Sequence, residues 1–192
     1  MLKKKNEQGF TLLEVAMVLI VASLIVIATL SAQGVWDTAK SFRLERHVQE
    51  MRVAVALYEN KIGSLPGDGD PNTPGDPDGE IDNGTNFWYE VLNEEDLVTS
   101  EQQANRHPFG GDVVLAFSDG ATTASTNPFD LDINVFTYEN IPVEWAETLD
   151  NAIDDGESNS GRVQTTDPGQ ANAIDDYNSA AGDLVDVWVR LD

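Results

Sequence analysis

The chain has no cysteine among its 192 residues, so no disulfide staples it and no thiolate serves as nucleophile or metal ligand. Histidine is nearly absent as well. His47 and His107 are the only imidazoles, which leaves little for general-base chemistry near neutral pH. Basic residues are scarce: 11 Lys and Arg stand against 34 Asp and Glu, a formal net charge of −23. Such a surface argues against a nucleic-acid partner, which needs basic patches to meet phosphate, and suits solubility, cation binding or a saline exterior. Proline does not occur before Pro66, so nothing upstream of that point breaks a helix.

What is present begins with a long apolar run. Phe10 to Leu30 is rich in Leu, Ile, Val and Ala. As a helix it covers roughly 30 Å, the thickness of a bilayer core. Lys3, Lys4 and Lys5 precede it with little acid nearby, so the positive-inside rule keeps that end cytoplasmic and exports the rest. The run is too long for the apolar core of a secretory signal, and the cleavage-like Gly9 lies before it rather than after. Glu14 sits inside the run. A charge there costs at least about 2.5 kcal/mol and is a functional residue by default. It lies one helical turn from Phe10. If the chain is cut after Gly9, Phe10 carries a new amine, and the amine of a neighbouring subunit can neutralise Glu14 within lipid. The plainer alternative is a carboxylate that snorkels to the headgroups from an ordinary anchor.

The stretch Lys3-Lys-Lys-Asn-Glu-Gln-Gly9-Phe10-Thr11-Leu-Leu-Glu14-Val15 resembles the leader and cleavage site of type IV prepilins and of type II secretion pseudopilins. The resemblance implies that a prepilin peptidase cuts between Gly9 and Phe10, that the same enzyme methylates the Phe10 amine, and that Glu14 assists filament assembly. It further implies partners: other pilin or pseudopilin subunits, an inner-membrane assembly platform and the lipid itself. The precursor is then a single-pass protein of the bacterial inner membrane, its N-terminus cytoplasmic and its head periplasmic or in an extracellular filament. Many pilins carry a proline midway along the apolar segment; this chain has Ser31 near there. Many type IV pilins also close a C-terminal loop with a disulfide, and the lack of cysteine favours a pseudopilin or pilin-like subunit over that subclass.

Beyond the span, Leu44, Val48, Met51, Val55, Tyr58 and Ile62 recur at spacings of four and three, the period of an amphipathic helix. The stripe either packs on the chain's own sheet, as is usual, or forms a seam between subunits. Gly63 and Pro66 end the helix. The turn Leu65-Pro-Gly-Asp68 is also similar to prepilin-like proteins. The predicted organisation is a cleaved basic leader over 1–9, a transmembrane and assembly helix over 10–33, an amphipathic half over 34–62 and an acidic globular head over 63–192. The fold expected is α+β and pilin-like, one long N-terminal helix on a small antiparallel sheet. Val113–Phe117 and Leu131–Tyr138 read as hairpin strands, Pro142–Ile153 as a helix and Leu184–Leu191 as a terminal strand, with Thr165–Gly182 in loops. Phe87, Trp88 and Tyr89 read as aromatics packed on the core. His47 reads as a surface side chain and His107 as a loop residue.

Two acidic loops are candidates for a hard cation. In the first, Asp76, Asp78, Gly79 and Asp82 fit part of a calcium loop, while Pro74 and Thr85 fail where acids are required. Asp68, Asp70, Asp76, Asp78 and Asp82 are the candidate ligands and calcium the candidate cofactor; a solvated turn is the alternative. In the second, Asp150, Asp154 and Asp155 are cation candidates, and helix-end solvation accounts for them equally. The segment from Leu149 to Val163 is similar to one seen late in prepilin-like proteins. No catalytic constellation is evident. Gly156-Glu-Ser158-Asn-Ser160 departs from a nucleophile elbow because Ser160 stands where glycine belongs. The expected function is a structural subunit of a pilus or pseudopilus and not an enzyme; the alternative is a membrane-anchored calcium-binding or adhesive module that does not polymerise.

Overall fold

The computed structural model describes residues 10–69, 78–81, 97, 105–118, 128–129, 131–170, 172–180 and 182–191. The chain divides into two compact units, Met1–Ala39 and Lys40–Asp192. One 51-residue helix, α1 (Leu12–Ile62), begins in the first unit and ends in the second. The other elements are β1 (Val113–Ser118), β2 (Ile133–Pro142), α2 (Val143–Ile153), β3 (Val163–Thr166), a short 3-10 turn (Tyr177–Ser179) and β4 (Leu184–Arg190).

In the first unit α1 buries nothing large. Every large apolar side chain from Phe10 to Leu30 is exposed, as in a helix made for lipid rather than for a protein core. The stretch is long and apolar enough to cross a membrane. In the second unit the helix changes character. Leu44, Val48, Met51, Val55 and Tyr58 are buried together with Ala54, and they join the strand residues in one core. The predicted stripe therefore packs on the chain's own sheet. Ile62, its last member, is half exposed. The helix stops there: Gly63, at φ +93°, donates its N–H to the Glu59 carbonyl at 2.8 Å, a left-handed cap.

The sheet is antiparallel throughout, in the order β1-β2-β4-β3. The expected hairpin is present, with Leu115 opposite Phe136. Val185, Val187 and Val189 point into the core, as their alternation predicts. The terminal strand, β4, lies inside the sheet between β2 and β3. One expectation needs correction. β3 itself falls in a stretch expected to be a turn and loops. Its sequence Val-Gln-Thr-Thr is mostly polar, yet all four residues are buried. Hydrogen bonds make this tolerable for the two threonines: Thr165 donates its hydroxyl to the Ser158 carbonyl, and Trp188 Nε1 donates to Thr166 Oγ1 at 3.0 Å.

A bulge in β2 organises the far end of the sheet. The register shifts between Tyr138 and Ile141, and Asn140 takes φ 59°. Its N–H donates to Asp186 Oδ1 at 2.9 Å, and Asp186 Oδ2 accepts from Gly169 N–H at 3.1 Å. This explains a buried carboxylate in the middle of β4. On the other side of the bulge His107 is buried, not merely a loop residue. Its Nε2 lies 2.6 Å from the Glu139 carbonyl, and its Nδ1 accepts from Phe109 N–H at 3.2 Å. That pair of partners calls for the neutral ring protonated at Nε2. His47 is half-buried rather than fully at the surface, its ring edge-on to Tyr138. Leu97 is partly buried against the core, whereas Phe87, Trp88 and Tyr89 lie outside the described residues.

Two predictions follow from this corner. A Cβ on Gly111 would overlap the Glu139 carbonyl and the His107 ring. Gly111→Ala should destabilise the head by about 1–3 kcal/mol in denaturant melts of the full chain. Burial holds the His107 pKa below 6.5, with the charge on His47 adding to it. The unfolded chain therefore takes up this proton first, and the stability conferred by neutral His107 is complete above about pH 6.5 and declines as pH falls through that value. Asp150 and Glu139, with raised pKa values, act in the opposite direction. The contribution is thus isolated by difference: the advantage of wild type over His107→Gln should be larger at pH 7.5 than at pH 5.

Candidate functional site

The N-terminal site is built on the first turn of α1. Phe10 is exposed and precedes the helix. Thr11 is the N-cap: its Oγ1 accepts from Glu14 N–H at 3.2 Å, while Glu14 Oε2 accepts from Thr11 N–H and from Thr11 Oγ1, each at 3.0 Å. This is a capping box, Thr-x-x-Glu, in which each residue satisfies the other's orphan donor. It gives Glu14 a second account besides pairing with a neighbour. The carboxylate is held by its own chain, four residues beyond Phe10, where the leader would be removed. The sequence reading overlooked Thr11, although Thr11-Leu-Leu-Glu14 before an apolar run is the signature of such a cap. Gly9 lies outside the described residues.

Farther along the span the hydroxyls are satisfied locally. Ser23, Thr29 and Ser31 donate to the carbonyls of Ile20, Val26 and Ile27 at 2.8 to 3.0 Å. Side chains that bond their own helix leave no bare donor to face lipid.

Of the first acidic loop, Asp68 and Asp78 are described; Asp70, Asp76 and Asp82 lie outside the described residues. The two carboxylates serve the backbone. Asp68 Oδ1 accepts from Asp78 N–H at 3.1 Å and Oδ2 from Gly79 N–H at 3.2 Å, while Asp78 Oδ1 accepts from Glu80 N–H at 3.0 Å. Asn134 fastens this turn to the sheet: its Oδ1 accepts from Ile81 N–H at 2.9 Å, and its Nδ2 donates to the Gly79 carbonyl at 2.7 Å. Burial raises the Asp68 pKa against the pull of these amides.

The second acidic loop follows α2. One carboxylate oxygen from each of Asp150, Asp154 and Asp155 lies within 4.8 Å of the others, close enough to share a metal ion. Asp154 Oδ2 accepts from the N–H groups of Arg162 and Val163. Asp155 accepts from Glu157 N–H at 3.0 Å and from Ser160 Oγ at 2.8 Å. Asp150 is fully buried and accepts from the Tyr177 hydroxyl at 2.7 Å. Burial pushes its pKa up to about 6; the Asp155 and Asp154 charges add to this, while the Tyr177 hydroxyl and the nearby Gly156 amide oppose it. Ser158, in the stretch that partly resembles a nucleophile elbow, is buried and donates to the Ile174 carbonyl at 2.8 Å, a structural use of the hydroxyl.

A family description, the prokaryotic N-terminal methylation motif, matches residues 4–30. This is the signature of type IV prepilins and pseudopilins, and it points to a pilin-like precursor and a structural subunit. Together with the apolar helix it fits an inner-membrane-anchored precursor, processed by a prepilin peptidase and assembled with other pilins. No curated protein and no solved structure matches the chain.

The capping box makes a direct prediction. Thr11→Val removes the hydroxyl that accepts from Glu14 N–H, whereas Thr11→Ser keeps it. Loss of such a cap costs about 0.5–2 kcal/mol. In detergent micelles the Glu14 amide should therefore exchange with solvent faster in the valine variant and at close to the wild-type rate in the serine variant.

Proposed function

We propose that this chain is a structural subunit of a type IV pilus or type II secretion pseudopilus, cleaved after Gly9, methylated on the Phe10 amine and assembled through α1. The observation that carries the reading is the coincidence of the methylation motif over residues 4–30 with an apolar helix whose only acid before Asp37 is Glu14, four residues beyond Phe10. Removal of residues 1–9 takes away three lysines and one glutamate, leaving eight basic and 33 acidic side chains, a net of −25 before the new amine is counted.

The physical logic is an exchange of partners for one carboxylate. In the isolated subunit Glu14 is held by Thr11, which lowers the cost of keeping it at the edge of lipid. In a filament the Phe10 amine of an adjacent copy offers an opposite charge, which the neutral donors of Thr11 do not, and the attraction between two opposite charges is far stronger in a low-dielectric surround than in water. The amine exists only after cleavage, so processing is the step that licenses assembly. In this reading the first half of α1 supplies the filament's apolar interior and the acidic head faces water. The work of extracting the helix from lipid comes from assembly machinery outside this chain.

The test has two arms. The mature protein should begin at Phe10, with the mass of one added methyl group. Glu14→Leu should still be inserted and processed, yet fail to enter filaments when it is the sole copy of the subunit. A mature chain that still begins at Met1, or normal incorporation of Glu14→Leu, would overturn the proposal and leave an anchored, non-polymerising module in its place.

A further inference from the structure

The loop that leads into β1 is set by one imidazole. His107 is buried, and each ring nitrogen has a partner that fixes its role. Nε2 donates to the Glu139 carbonyl at 2.6 Å, and Nδ1 accepts from Phe109 N–H at 3.2 Å. The second bond holds the tip of the loop. The Phe109 ring stacks on Trp145 of α2, with 6.3 Å between ring centres, and Lys40 Nζ of α1 lies 5.4 Å from the centre of the Phe109 ring. One loop residue thus meets both helices, and the imidazole positions its backbone.

A charged imidazole cannot keep this arrangement, because both ring nitrogens of the cation are donors. Nδ1–H would face Phe109 N–H, donor against donor, and turning the ring over supplies no acceptor. We infer that His107 is a pH-operated latch: the neutral ring holds the Phe109 tip against α1 and α2, and protonation of Nδ1 releases it. The release is local. The Arg106–Asp112 bridge, the bond from Val113 N–H to the Asn105 carbonyl at 2.8 Å and the bond from Glu139 N–H to the Asp112 carbonyl at 3.0 Å do not involve the ring. The base of the loop therefore stays in place while its tip opens.

The surrounding groups set the pH at which the latch works. From α1 come His47, whose charge opposes a second cation, and Lys40 beside Phe109. From β2 come Tyr138, kept neutral by burial, and the carboxyl of Glu139, which burial and the Asp186 charge of β4 push toward its neutral form. α2 presents the neutral Trp145 to Phe109. In the loop itself Asp112 favours the charged ring, but it is shared with Arg106 at 3.4 Å. Burial and His47 prevail, so the closed loop takes up the proton below pH 6.5, whereas an opened loop titrates near the ordinary value of about 6.5. Opening therefore grows as pH falls below about 6.5, by up to about tenfold per pH unit. The latch lies wholly within the head and does not depend on whether the chain polymerises.

Hydrogen exchange on the full-length protein in detergent micelles tests the latch, with rates corrected for the intrinsic pH dependence of amide exchange. Between pH 7.5 and pH 5 the protection of the Phe109 and Gly110 amides should fall at least threefold. At pH 5 these amides should exchange faster than those of β4, because the tip opens without unfolding the sheet. His107→Asn places a carbonyl oxygen near the position of Nδ1 and does not titrate, so its tip amides should hold their protection over the same range. Unchanged protection of the wild-type tip between the two pH values overturns the latch. So does equal protection of the tip and β4 at pH 5, which would mean that only global unfolding frees the tip. Both are read on wild type, whether or not the variant folds. A folded His107→Asn chain that loses as much tip protection as wild type also overturns it, since another group would then carry the pH dependence.

Discussion

A polar group in an apolar span must find its partner within its own helix, because the surroundings offer none. The first unit obeys this constraint from its first turn. Thr11 and Glu14 close on each other, and Ser23, Thr29 and Ser31 return their hydroxyls to carbonyls one turn back. What remains outward is apolar: Leu, Ile, Val and Met side chains with no core to enter. Such a helix can stand alone in lipid, yet it keeps one carboxylate in its first turn. A leucine at that position would anchor the chain as well, without the cap that Glu14 makes with Thr11.

In the second unit the same helix meets a different solvent and carries a different pattern. Its apolar residues narrow to one stripe, and that stripe closes the core of a four-stranded sheet. The acidic composition also takes on a second meaning there. Several carboxylates act as acceptors for backbone N–H groups that the loops and the bulge would otherwise leave unpaired. Asp68 serves the turn at Asp78 and Gly79, Asp154 serves Arg162 and Val163, and Asp186 serves Asn140 and Gly169. A head without disulfides is thus stitched by side chain to backbone bonds, with Asn134 doing the same from the sheet. Near Asp150 the acids also converge on each other, one oxygen from each of Asp150, Asp154 and Asp155 lying within 4.8 Å of the others.

These observations divide the labour along the chain. The end that bears the methylation motif carries an apolar helix with one capped carboxylate, Glu14. The head offers a stable acidic body in which Ser158, the nearest thing to a nucleophile motif, is buried and bonded to a carbonyl. A structural subunit needs a helix that can change partners and a body that does not come apart.

Local pattern carried much of this into the sequence. The length of an apolar run, a basic flank and a glycine before an aromatic residue are properties of neighbouring residues, so the span, the motif and Glu14 were legible without coordinates. The stripe from Leu44 to Tyr58, the β1–β2 hairpin and α2 were legible for the same reason, because period and turn residues are local signals. Thr11 was legible too, through its spacing to Glu14, and was overlooked only because the acid drew attention away from its cap. The tertiary fold decided the rest. Val163–Thr166 is a strand because β4 offers its edge and Ser158 and Trp188 satisfy its threonines. Asp186 is buried because the bulge in the neighbouring strand, β2, presents an amide to it. Asp150 is enclosed because α2 lays it beneath Tyr177. Each of these depends on a partner distant in sequence, and no window of neighbouring residues contains the hydrogen bond that makes a polar side chain welcome inside.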